Sequence, residues 1–106
     1  KETTNMNKKI YISGKITGLS VPQAEGLFNQ AETQLKAMYH GCEIVNPMKI
    51  NHDHDKSWEN YMRADLKEML NCDSIYLLNN WQQSKGAIVE YTLAKGLNFK
   101  IIHQAK

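Results

Sequence analysis

The sequence predicts an α/β fold, with a mostly parallel sheet of about four strands covered by helices on both faces. Four short, unbroken apolar runs read as buried strands, and each pair is separated by a segment with helical periodicity long enough for a parallel crossover. The 106 residues suffice for a single core, and no stretch resembles a linker between two.

Strand one is Lys9-Ile10-Tyr11-Ile12-Ser13, β-branched and aromatic, and it ends in a glycine turn. Ser20 with Gln23 three residues later forms a capping box, and Pro22 sits where its missing N–H costs nothing. The helix that starts there carries Ala24, Leu27, Phe28, Ala31, Leu35 and Met38 on one stripe, with Gly41 as its stop. Cys42-Glu43-Ile44-Val45 reads as strand two and closes at Asn46-Pro47. A polar loop rich in His and Asp follows. The second helix opens near Ser57, places Trp58, Tyr61, Met62, Leu66, Met69 and Leu70 on one side, and runs out at Asn71. Ser74 to Leu78 is strand three, Asn79 to Gln83 a loop, Ser84 to Leu97 a third helix ended by Gly96 or Asn98, and Phe99 to Ile102 strand four. Right-handed crossovers then leave few topologies, and ligands bind outside the carboxyl ends of the strands where the strand order reverses.

Composition narrows the function classes. The formal charge of +2 is spread along the chain without a basic patch, which argues against binding a nucleic-acid polymer. No run of about 18 apolar residues predicts a membrane span, and Lys1 to Lys9 show no hydrophobic signal segment, so a cytoplasmic protein is expected. Two widely spaced cysteines, Cys42 and Cys72, read as reduced thiols rather than a disulfide. Residues 1–7 lack periodicity and read as a disordered or leader segment, with residues 8–106 forming the domain.

Three features carry chemistry. The first is the turn Ser13-Gly14-Lys15-Ile16-Thr17-Gly18, where glycines let a backbone approach an anion and the next helix start offers free N–H groups. Steric need explains many such glycines equally well. The second is Asp65, three residues after Met62 and four before Met69, a carboxylate inside an apolar stripe. It either pairs with a cation such as Lys9 or Arg63, or faces a cleft and is used. The third is Glu90, which repeats the anomaly among Gly86, Ala87, Leu93 and Ala94, near a helix start whose dipole favours an anion. Upstream of it, Ser84-Lys85-Gly86 offers a second place for a phosphate. The run His52-Asp53-His54-Asp55 reads as a solvated loop, since adjacent residues rarely converge on one ion, and no metal or cofactor is expected. Trp81 and Tyr76 read as packing residues, although Trp81 in its loop could also cover a base or sugar.

Taken together, Tyr11 to Gly18, Asn46-Pro47, Asp65-Leu66 with Cys72-Asp73, and Ser84 to Tyr91 resemble the nucleoside 2-deoxyribosyltransferase superfamily, and most closely its branch of short bacterial and phage proteins related to 2′-deoxynucleoside 5′-phosphate N-hydrolases. The resemblance runs from Lys8 to Ile102. It implies a Rossmann-like (flavodoxin-like) three-layer sandwich. It also implies that Glu90 attacks the anomeric carbon to give a glycosyl-enzyme, with Asp65 handling proton transfers at the base and Tyr11 orienting the nucleophile. The glycine loop, Ser84 and Gly86 would contact the phosphate. A serine rather than an aspartate at position 84 points to a 5′-monophosphate. A longer loop between Asp73 and Ser84 departs from the hydrolases, and the ending at Lys106 departs from the transferases. A homodimer or higher homo-oligomer is a further expectation from the resemblance. The expectation is therefore N-glycosidase action by hydrolysis or deoxyribosyl transfer. The alternatives are an inactive domain sensing a nucleotide or an NAD-derived signal, and a dimeric structural domain whose acids serve only salt bridges.

Overall fold

The structure, a computed structural model, describes residues 8–51 and 57–106; the expected leader (1–7) and the His52 to Asp55 run lie outside these. β1 spans Lys9–Ser13, α1 Val21–Met38, β2 Glu43–Val45, α2 Trp58–Met69, β3 Ser74–Leu77, α3 Lys85–Gly96 and β4 Lys100–His103, with 3-10 turns at Pro47–Lys49 and Trp81–Gln83. All strand pairs are parallel, in the order β2-β1-β3-β4. The α/β sandwich with a four-stranded parallel sheet is the architecture expected from the sequence.

The layers follow from strand alternation, because successive side chains leave a strand on opposite faces. Ile10, Ile12, Tyr76 and Leu78 meet Phe28, Ala31 and Leu35 of α1 on one face. Tyr11, Ile75 and Leu77 meet Met69 at the end of α2 and Ala94 of α3 on the other. The chain leaves β1 outward to β2 and returns past it to β3, so the connections after β1 and β3 diverge and open a crevice between them.

Each helix starts at a serine cap. Gln23 N–H donates to Ser20 Oγ (3.2 Å) while Ser20 N–H donates to Gln23 Oε1 (2.9 Å), completing the expected box. Ser57 accepts from Asn60 N–H, and Ser84 from Ala87 N–H. Helix ends are less faithful to the sequence reading. α1 closes at Met38 with Tyr39 as its cap, and Gly41, at φ +84°, serves the turn into β2 instead. Asn98, at φ +62°, follows α3, whereas Gly96 still belongs to the helix. The apolar stripes are narrower than the periodicity suggested: Leu27 and Met38 on α1, Tyr61 on α2 and Leu70 just past its end are exposed, because only about a third of a helix's circumference touches a flat sheet. Cys42 and Cys72 are free thiols, and burial pushes Cys72 up to about 12, which makes it a poor nucleophile. Among the described residues no helix is long and apolar enough to cross a membrane.

Candidate active site

Glu90 lies in the second turn of α3, over the carboxyl ends of β1 and β3, and is 5% exposed. Tyr11 and Ser13, two apart on β1, project from the same face of the strand toward it. Tyr11 Oη donates to Glu90 Oε2 at 2.8 Å, and Ser13 Oγ donates to Oε1 at 2.6 Å. Each carboxylate oxygen therefore has its own hydroxyl. Ser13, read from the sequence as a phosphate contact, instead holds the glutamate.

Burial pushes Glu90 up to about 8; the Ser13 and Tyr11 hydrogen bonds oppose this, and the charge of Asp65 adds to it. Burial thus works against the anionic form that the helix dipole was expected to favour. The free N–H groups that carry the dipole belong to the first turn of α3, and Glu90 sits beyond them where desolvation dominates. Burial, then Glu90, then Asp65 raise Tyr11 well above its ordinary range, so its phenol keeps the proton it donates.

Asp65 is 7% exposed on α2, and its side chain borders the same cavity as Glu90. Of the two cations considered from the sequence, Lys9 Nζ lies 3.6 Å from Glu43, and Arg63 Nη1 donates to Asn60 Oδ1 at 2.7 Å. Two carboxyl groups from different helices therefore converge on one crevice.

That crevice is a cavity of about 560 Å³. Tyr11, Asp65 and Glu90 line it, together with Gly14, Ile16 and Thr17 of the turn after β1 and Ser84, Gly86 and Ala87 at the start of α3. Lys15 and Gly18 do not line it. Lys15 donates its backbone N–H to Asn80 Oδ1 (2.9 Å) and lays its side chain beside Gly18, which needs its glycine for a φ of +93°. Gly14 is fixed by packing: a Cβ there would stand 2.6 Å from Leu78 Cδ1. Gly86 likewise lets α3 approach α2, since a Cβ would come within 3.0 Å of Met62 Sδ.

Of the two readings of Trp81, packing holds. Trp81 packs on Tyr91, centroids 4.7 Å apart, inside the second core and away from the cavity. Trp58 lines the cavity instead, with Lys85 Nζ 4.2 Å above its ring. Its position directly after the cap Ser57 was the available signal, because helix N-termini point to the strands' carboxyl edge. Val21, Glu25 and Phe28 of α1, with Met48 and Ile50, form the facing wall, which sequence reasoning did not assign. Tyr76 is a core residue, as expected.

Glu32 supplies a contrast. It also interrupts an apolar stripe, four after Phe28 and three before Leu35, yet it pairs with Lys36 (2.8 Å) and Lys49 (2.9 Å) and accepts from Asn46 Nδ2 (3.1 Å). These partners hold it down at about 2, against burial. Glu32 staples the Pro47–Lys49 turn to α1, whereas Glu90 has hydroxyl donors and no ion-pairing cation among the described residues. Among those residues, no group of three His, Cys, Asp or Glu could hold a metal ion.

Residues 8–103 match the family model described as "Domain of unknown function (DUF4406)". No curated protein matches the chain.

Proposed function

We propose that this chain, which belongs to the DUF4406 family, is an N-glycosidase that cleaves a (deoxy)nucleoside 5′-monophosphate through Glu90. One observation carries the reading: a buried glutamate, held by a hydroxyl on each oxygen and by no cation among the described residues, borders a nucleotide-sized cavity beside a second carboxylate. A structural glutamate is neutralised by lysines, as Glu32 is. The reading extends the resemblance to the nucleoside 2-deoxyribosyltransferase superfamily and rests on the same residues.

In the first step the Glu90 carboxylate attacks C1′, the C1′–N bond breaks, and Asp65 in its acid form gives its proton to the departing base. In the second, water attacks C1′, the ester to Glu90 breaks, and Asp65 takes the water's proton. A second free base in place of water would give transfer. Tyr11 orients the nucleophile and donates to it. Glu25, Asp65 and Glu90 line the cavity, and no lysine, arginine or histidine does among the described residues. Phosphate binding therefore falls to the Ser84 and Thr17 hydroxyls and to the first N–H groups of α3, at Lys85 and Gly86. Lys85 flanks that end from above Trp58. A homodimer is part of the proposal, since α3 exposes Ile88 and Val89, and so is a cytoplasmic setting, where free thiols stay reduced.

A binding-only reading is favoured by one observation. Burial pushes Glu90 up to about 8, which favours its protonated form at pH 7, and a neutral carboxyl can bind a nucleotide or an NAD-derived signal without attacking it. Incubation with a panel of ribo- and deoxyribonucleoside 5′-monophosphates decides between them. Release of a free base supports the glycosidase, and tight binding with no product supports the sensor.

A further inference from the structure

The two oxygens of Glu90 are not equivalent. Tyr11, which holds Oε2, borders the cavity; Ser13, which holds Oε1, is fully buried and does not. Oε2 is thus the oxygen turned toward bound substrate, and Oε1 the one turned into the protein. A carboxylate oxygen has two lone-pair directions. With one taken by the Tyr11 hydroxyl, Oε2 keeps another for a carbon in the cavity.

We infer that Oε2 is the attacking atom and that Ser13 is a positioning residue which stays bonded to Oε1 through the whole reaction. The inference rests on the glycosidase reading above. As the C1′–Oε2 bond forms and the C1′–N bond breaks, Oε1 becomes the carbonyl oxygen of the ester, still a good acceptor for Ser13. Oε2 becomes the ester oxygen, a poor acceptor, so the Tyr11 bond loosens in the intermediate. When water attacks C1′ and the C1′–Oε2 bond breaks, the electron pair returns to the carboxylate and the Ser13 bond becomes charge-assisted. Ser13 thereby favours breakdown of the intermediate as well as holding the nucleophile. Its effect on the free enzyme points the same way, since of the two hydroxyls it is the stronger in opposing the upward push on Glu90.

The test uses the full chain, labelled with carboxyl-¹³C glutamate. The probes are the four 2′-fluoroarabino nucleoside 5′-monophosphates (adenine, guanine, cytosine and thymine), in which fluorine slows both steps so that the ester accumulates. Infrared difference spectra locate the ester carbonyl. Ser13→Ala should move that band to higher wavenumber and slow breakdown of the adduct about tenfold or more, the effect of losing a hydrogen bond to a charged group. Tyr11→Phe should leave the band in place, and Ser13→Thr, which keeps a hydroxyl, should restore it. A band that moves in Tyr11→Phe and not in Ser13→Ala assigns attack to Oε1 and overturns the inference, as does a band that neither variant moves. If the wild-type chain forms no adduct with any of the four, the glycosidase reading itself fails and the assignment falls with it.

Discussion

The Tyr11 phenol donates to Glu90 Oε2 across 2.8 Å, joining the first strand to the third helix beside the cavity. The phenol is fixed in its protonated form by burial and by the two nearby carboxylates, so it always offers a donor. It thereby favours ionisation of a glutamate that burial keeps protonated.

The rate of base release should therefore climb with pH on its acid side, with a midpoint near 8, because only ionised Glu90 attacks. Tyr11→Phe removes one of the two donors that favour the anion. Its midpoint should lie higher by about one pH unit or more, equivalent to losing one hydrogen bond to a charged group. A pH–rate profile of the two proteins is the measurement.

Stability should show the opposite trend. Glu90 has a native value of about 8 against 4.5 unfolded, so between those limits the folded chain holds a proton that the unfolded chain has lost. Raising pH across that window destabilises the native state. Glu90→Gln removes the titration, and its unfolding free energy should gain on wild type from pH 5 to 8 and level off above, by an amount on the order of a few kcal/mol. Urea unfolding at a series of pH values reads this directly.

Glu32 should behave in the reverse sense. Its lysine partners lower it to about 2, so its contribution to stability is fully present above 4.5 and fades as pH falls toward 2. The gap in unfolding free energy between wild type and Glu32→Gln should close over that range. Base release by Glu32→Gln should match wild type near neutral pH, because Glu32 does not border the cavity.

Gly14→Ala should cost about 1–3 kcal/mol by forcing Leu78 out of place, since the new methyl would stand 2.6 Å from Leu78 Cδ1. Gly18→Ala meets only an ordinary contact with the Lys15 side chain at 3.5 Å and is strained through its φ of +93°. Thermal unfolding of Gly14→Ala together with Leu78→Ala should recover part of the loss, because the smaller neighbour makes room.

Most of this architecture is legible in the chain, because a fully parallel sheet needs unbroken apolar strands such as Ile10 to Ile12 and Ser74 to Leu77, and each crossover announces itself with a serine cap. The anomalies at Asp65 and Glu90 were legible for the same reason, as carboxylates at core positions of a helix. Their meaning was not. Glu32 breaks its stripe in the same way, and only the three-dimensional arrival of Lys49 from the Pro47–Lys49 turn separates a staple from a candidate nucleophile. The role of Ser13 was within reach, since a residue two from Tyr11 on a strand shares its face, but its place beside Gly14 suggested a phosphate loop. Trp81 packs as its sequence reading favoured, whereas Trp58, read only as part of an apolar helix stripe, borders the cavity, because periodicity does not say which end of a stripe reaches past the sheet edge.

Cleavage through Glu90 is tested by free-base release from a panel of ribo- and deoxyribonucleoside 5′-monophosphates at pH 8, followed by chromatography for wild type and Glu90→Gln. Wild type should liberate the base from at least one member, and Glu90→Gln, with the same fold and an uncharged side chain in the same place, should slow that release by about a thousandfold or more, the scale expected when a covalent nucleophile is removed. Release by Glu90→Gln at the wild-type rate, or no free base from any nucleotide with wild type, would contradict cleavage through Glu90.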